Sequence, residues 1–414
     1  MKHSWKKIAV SCLMVLALVA TLCLGCGEDE EEEKVTIYLG HLTDLTGVAA
    51  SALIPIMKAL DANVRYFNEV DPIPGVELEI VRYNTNYDPS RAKPGYDWIR
   101  DHGADVIYTE MPEMAEGIVQ FAEGDKTVVI CHPGTKVLAD AQGWVFCLNP
   151  TSSAQMRSLM KYVSDEWEAA GKYDSVGKPK IGTAGWSTPY GNDVKLGAEY
   201  CLDYPEDFDY VGSYMAPAGV VTWSGEVEAL KDCDYIVLTT PGALQPSTFA
   251  AEFLSKGHTT KWLGLDSLVA YWDVMLAKVG SEALDGSLMG QFHALWVYDC
   301  PVVEHLKQLA YTYYPDEAEE LISGNCGYLG GGGGTYFLIQ CIRAAIEEVG
   351  AENFDGQAFY DMAVKFRPRW EGYPEEVGWS PTDRLSSKWQ IIYEYSHAAG
   401  DFEVATDWVE VIEE

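Results

Sequence analysis

The hydrophobic pattern switches between two periods along most of the chain. Val35-Thr36-Ile37-Tyr38-Leu39 is apolar and β-branched, as a buried strand should be. After the loop at 40–47, Leu53, Ile56, Met57, Leu60, Val64 and Phe67 recur at steps of three and four, which predicts one buried face of a helix. Pro55 falls near the first turn of that helix, where a missing N–H costs little. A strand that feeds a loop bearing Thr43, Thr46 and Gly47 and then a helix presents backbone N–H groups suited to an anionic part of a ligand. The phrase then repeats. Strands are predicted at 76–80, 105–108, 128–131 and 145–148, and a short helix at 115–122. Another helix is predicted from the cap Asp88-Pro89-Ser90 toward His102, with Pro94 expected to shorten or kink it.

Asn149-Pro150-Thr151-Ser152 reads as a crossover into a second run of the same kind. That run has strands at 180–184, 210–214, 235–239 and 262–265, with helices at 156–167, 192–201, 226–231 and 247–256. Strands separated by helices of this length imply right-handed β-α-β units and parallel sheets, so the expected architecture is α/β with two successive lobes. A strand at 288–292 begins a return, followed by helices at 302–313 and 335–349. The second of these carries Phe337, Leu338, Cys341, Ala344 and Ala345 on one face. Five glycines, Gly330 to Gly334, stand before it. Such a run is expected to hold no regular structure and to serve as a hinge or a close backbone approach. The chain closes on a strand at 388–393, with a further one suggested at 408–412.

The first residues do not follow this pattern. Lys2, Lys6 and Lys7 precede an apolar run at 8–24, then Gly25, Cys26 and Gly27, then six acidic residues at 28–33. This reads as an export signal at 1–25 with Cys26 as a lipidated first residue, although Cys23 stands where such cleavage boxes usually carry Leu. Plain secretion and an uncleaved anchor helix remain the alternatives. Residues 26–33 then form an extended acidic tether, and the expected location is the outer side of a cell membrane. With 29 Lys+Arg against 63 Asp+Glu, the net charge of −34 argues against nucleic acid as a partner. Of the seven Cys beyond Cys26, Cys131 and Cys147 are the pair expected to bridge, if any does, and the rest are expected to be buried thiols.

Catalytic motifs are missing. There is no G-x-S-x-G, H-E-x-x-H or phosphate-binding P-loop, and no G-x-G-x-x-G follows a strand. The glycine run is not a nucleotide loop, since no Lys-Ser/Thr follows it. His41 and His132 fall at strand ends and could face a cleft or simply be hydrogen-bonded. Glu110 and Glu113 could do acid–base work, but in so acidic a chain such pairs arise by chance. No cofactor or metal is expected.

Several phrases in order resemble the branched-chain amino-acid-binding family of ABC-transporter solute receptors. They are Leu42-Thr43-Asp44-Leu45-Thr46-Gly47, Arg65-Tyr66-Phe67-Asn68-Glu69, Asn84-Thr85-Asn86-Tyr87-Asp88-Pro89, Pro189-Tyr190-Gly191 and Leu263-Gly264-Leu265-Asp266. The resemblance covers residues 34–414. It implies the type I periplasmic binding protein fold: two lobes, each a parallel sheet flanked by helices, joined by three crossovers. Lobe 1 would hold 34–150 with 289–385, and lobe 2 would hold 151–288 with 386–414. It also implies a ligand held between the lobes. Its carboxylate would meet strand-end groups matched here by Thr109, Met111, His132, Gly134 and Thr135, with Thr46 from the opening loop. Its ammonium would meet Asp266, and Tyr190 would pack on it. Where a second aromatic is usual Pro241-Gly242 stands, and Trp186 is the expected substitute. Met111 between two glutamates departs from the family's small hydroxyl residues, and acids there would repel a carboxylate. A branched-chain amino acid is therefore not assumed. The expected protein is a monomeric, membrane-tethered receptor for an amino acid, amide or small carboxylate, handing it to an ABC permease. A sensor of the same fold and an exported hydrolase are the rival readings.

Overall fold

The computed structural model describes residues 34–140, 143–239, 242–324, 327–368 and 377–413. The signal and tether with Cys26, together with Pro241 and Cys326, lie outside the described residues.

The first sheet has the order β2-β1-β3-β4-β5 and is parallel throughout. Its strands are β1 (Val35–Thr43), β2 (Val76–Asn84), β3 (Val106–Thr109), β4 (Val128–Cys131) and β5 (Val145–Cys147). Helices α1 (Ala50–Glu69), α2 (Ala92–Asp101), α3 (Pro112–Ala122) and the short α4 (Lys136–Asp140) make the connections. β3 and β4 are buried along their whole length, which is why they read as unbroken apolar runs rather than alternating ones. Pro94 sits at the third residue of α2 and so ends nothing.

The second sheet has the order β12-β11-β10-β9-β8-β6-β7. It holds β6 (Lys180–Trp186), β7 (Asp209–Ala216), β8 (Tyr235–Thr239), β9 (Lys261–Gly264) and β10 (Leu288–Gln291), all parallel, then β11 (Trp389–Ser396) and β12 (Asp401–Val404), antiparallel. The two-residue β13 (Val409–Glu410) pairs with β11. Its helices are α5 (Ser152–Ala169), α6 (Lys172–Ser175), α7 (Pro189–Ala198), α8 (Ser224–Leu230), α9 (Leu244–Ser255), α10 (Asp266–Ala270) and α11 (Trp272–Val279). Alternate β8 residues serve opposite faces of this sheet. Ile236 and Leu238 join a core with Trp223, Phe249 and Trp262, while Tyr235 and Val237 join one with Met156, Leu159 and Val194.

β10 pairs with β9, so the strand expected to begin the return still belongs to the second sheet. The passage back to the first sheet comes after Gln291, not at 289, because β10 completes the parallel order before the chain leaves. The return brings α12 (Pro301–Tyr313), α13 (Ala318–Ser323), α14 (Gly327–Val349) and α15 (Gly356–Ala363). The third crossover runs beside β5, where Cys147 N–H donates to Arg384 O at 2.8 Å and Ser386 N–H to Cys147 O at 3.0 Å.

The glycine run overturns an expectation. Gly330 to Gly334 lie inside α14, which packs along α1. A Cβ on Gly331 would stand 2.5 Å from Ile56 Cγ2, and one on Gly332 would stand 2.6 Å from Leu306 Cδ2. The glycines are there to let helices touch. Burial against α1 and α12 offsets the helix-weakening flexibility of glycine. Asn63 staples the contact, donating to Gly332 O at 2.8 Å and Thr335 Oγ1 at 2.9 Å.

Cys131 and Cys147 are register partners on neighbouring parallel strands, and both are free, buried thiols. Side chains so placed stand side by side, whereas a disulfide needs its two Cβ atoms to lean together. Among the described residues no helix is long and apolar enough to cross a membrane.

Candidate functional site

Strand ends of both sheets meet at one cavity of about 590 Å³, part of it open to solvent. From the first sheet come Glu110, Met111, Pro112 and Glu113 after β3, and His132 and Pro133 after β4. From the second come Tyr190 in the first turn of α7, and Asp266, Ser267 and Tyr271 after β9. The start of α1 and the glycine-bearing start of α14 close the floor, and Tyr87 comes from the loop after β2. The mouth of a parallel sheet at its strand C-termini is where α/β folds place ligands.

Local sequence explains the positions. In Thr188-Pro189-Tyr190-Gly191, Thr188 is the N-cap and accepts from the Gly191 N–H at 3.1 Å, while Pro189 takes the first helical position. That cap fixes Tyr190, whose hydroxyl donates to Asp266 Oδ1 at 2.9 Å. Asp266 is the first residue of α10, and the N-cap position itself is Leu265. Burial pushes the Asp266 carboxyl up to about 6, against the opposing pull of the Tyr190 hydrogen bond.

The first-sheet side is more acidic. Glu110 Oε1 pairs with His41 Nε2 at 2.7 Å, both groups buried. His41 Nδ1 accepts from Arg82 Nε at 3.0 Å, so Nε2 carries the ring proton and donates to Glu110. Arg82 in turn reaches Asp61 at 2.5 Å. Oε2 of Glu110 has no hydrogen-bond partner, and Glu113, only 5% exposed, makes no close one, though the Tyr87 hydroxyl and the Tyr190 backbone stand near enough to favour its charged form. Burial raises the Glu113 carboxyl above its usual range. His132 is hydrogen-bonded to the Tyr108 hydroxyl at 2.9 Å. Burial, with a smaller contribution from His293, pushes it down to about 3, so it is neutral.

Met111, His132, Tyr190 and Asp266 thus line the cavity together. The other expected contacts do not line it. Thr46 is exposed and bonded to Asn84 and Asn86. The loop N–H groups expected to meet an anion are already taken: those of Thr46, Gly47 and Ala49 donate to the Asp44 carboxylate at 3.0, 2.5 and 3.0 Å. Thr109 Oγ1 accepts from the Met111 N–H at 3.2 Å beneath the strand end. Thr135 donates to Glu116 at 2.9 Å and caps the N–H of Leu138. Gly134 bridges Thr151 at the first crossover. Trp186 is a core residue of the second lobe, its indole N–H donating to Val220 O at 2.8 Å. Pro241 lies outside the described residues.

Aromatic surface comes instead from Tyr87 and Tyr271, which sequence reasoning missed. Tyr87 has φ 53° and Asn86 has φ 54°, the left-handed region that disfavours a bulky side chain by about 1–2 kcal/mol per residue. That strain aims the phenol at Glu113, and burial followed by the Glu113 charge drives its acidity far below that of an ordinary tyrosine. The phrase holding Tyr87 carried a family signal; Tyr271 had none.

The sequence profile of the periplasmic binding protein family matches residues 36–391. No curated protein sequence matches the chain. Among solved structures, the chain is similar to a branched-chain amino acid ABC transporter from Thermus thermophilus with bound valine. The TM-score is 0.76 at 15% identity, covering 91% of this chain and 97% of that one. It is similar to a fatty acid ABC transporter substrate-binding protein from Thermomonospora curvata, with TM-score 0.76, 20% identity and coverage of 91% and 92%. It is also similar to a solute binding protein of an ABC transporter from Rhodopseudomonas palustris in complex with 3,4-dihydroxybenzoic acid, with TM-score 0.72, 15% identity and coverage of 92% and 99%. At such identities the likeness speaks for the fold, and the solutes named for these three proteins differ in kind. With two parallel-sheet lobes, three crossovers and a family profile spanning most of its length, the chain belongs to the periplasmic binding proteins, in their type I form.

Proposed function

We propose that the protein is an extracytoplasmic solute receptor that binds a small molecule between its lobes and delivers it to an ABC permease. One observation carries this reading: the cavity draws its walls from strand ends of both sheets. A ligand touching both sides favours the closed arrangement over the open one, and its binding energy becomes lobe closure. The lobes would move as rigid units about the three crossovers. The protein performs no chemistry on the ligand. On this reading the acids and hydroxyls of the cavity serve to bind, and the solute leaves as it entered. Lipidation of Cys26 would hold the monomer at the membrane surface through the acidic tether.

Thermal-shift screening combined with small-angle scattering tests the reading. A solute that raises the melting temperature should also reduce the radius of gyration and be recovered unchanged. A solute that binds without any compaction, or that is turned over, contradicts it.

A further inference from the structure

We infer that the ligand is an organic cation, a protonated amine or quaternary ammonium on a compact apolar or aromatic body, without a carboxylate. This rests on the receptor reading and names its ligand class.

Three carboxylates line the cavity, Glu110 and Glu113 from one lobe and Asp266 from the other. Glu113 is more than nine-tenths buried with only the Tyr87 hydroxyl and the Tyr190 backbone close to its oxygens, and Glu110 has one buried oxygen with no hydrogen-bond partner. Buried acceptors of this kind require a donor or a positive charge from something bound. No Lys or Arg is among the residues that line the cavity, and its one imidazole is neutral.

Several groups that could greet an anion are spent. The loop N–H groups before α1 are held by Asp44, and the Met111 N–H is held by Thr109. The N-terminus of α3, a natural anion site, carries the protein's own Glu113 in its first turn. A ligand carboxylate would therefore meet acids where it needs donors.

The remaining surface suits the body of an organic cation. Tyr87, Tyr190 and Tyr271 line it, and aromatic rings attract ammonium groups. Ala52, Leu53, Ile56 and Met111 supply an apolar wall. Among the described residues no group of three or more His, Cys, Asp or Glu could hold a metal ion. The net charge of −34 draws cations toward the mouth.

The test is a melting and titration panel on the purified protein with four probe classes. Tyramine, putrescine and choline are the cations, benzoate and valerate the anions, and valine and acetamide the zwitterion and the neutral amide. At least one cation should raise the melting temperature, with scattering-detected compaction. Glu113→Gln, which keeps the shape, should weaken that cation roughly tenfold or more. Binding and compaction with an anion, a zwitterion or an amide, but with no cation, overturns this inference and leaves the receptor reading standing. Silence from all four classes, in both melting and scattering, counts against both.

Discussion

Nε2 of His41 lies 2.7 Å from Oε1 of Glu110, and the imidazole is itself held from behind by Arg82. The pair fixes one carboxylate at the cavity wall while its second oxygen stays unpaired by protein. His41→Ala removes the donor and leaves a buried acid with no partner. The expected loss is about 2–3 kcal/mol of stability, since truncating one member strands the other. A chemical denaturation series checks it, and an unchanged midpoint would contradict the pairing described.

The helix contact between Gly331 and Ile56 makes a second prediction. Gly331→Ala adds one methyl where 2.5 Å is available, and overpacking of this kind costs about 1–3 kcal/mol. In an Ile56→Ala background the same change should cost much less, because the clashing branch is gone. Equal losses in both backgrounds would show that α1 and α14 do not meet as described.

The acids carry a pH signature. Burial holds Asp266 at about 6, and Glu113 is raised as well. Tyr190, Tyr271, Tyr87, Glu110, Glu113 and the neutral His132 are the titratable groups sharing its cavity. Below pH 6 Asp266 is protonated and cannot pair with a cation. Affinity for an amine should therefore rise between pH 5 and 7, by up to about tenfold per pH unit for each proton released, and level off above. The free protein runs the other way. A carboxyl whose folded value is raised favours the folded state while protonated, so this contribution to stability declines as pH climbs from the usual carboxylate range through about 6. Calorimetry across that range reads both. A flat affinity profile would remove Asp266 from the contact.

Much of this was legible in the pattern of residues. Period-two and period-three-to-four runs located most of the strands and the longer helices of both sheets, because buried parallel strands and one-sided helices leave strong periodic marks, while the short helices at 136–140, 266–270 and 272–279 and the strand at 401–404 left none. Tyr190 and Asp266 came from strand-end phrases that resemble the solute-receptor family, and both line the cavity. What stayed hidden depends on partners distant in sequence. Gly330 to Gly334 look like a break until Ile56 and Leu306 are seen against them. Asp44 looks like one acid of many until its three loop N–H groups appear. Thr135 has the right chemistry for a ligand, but Glu116 already holds its hydroxyl. Tyr271 could not be found from its neighbours at all, since what places it is the turn after a five-residue helix.

The central claim is that one molecule is gripped from both lobes, with Glu113 on one side and Asp266 on the other. Titration calorimetry of the solute that most raises the melting temperature tests it most directly. The wild type is compared with Glu113→Gln, Asp266→Asn and the double variant. Each single change should weaken binding roughly tenfold or more, and the double variant should depart from additivity, as groups sharing one ligand do. Wild-type affinity in both single variants would contradict the account.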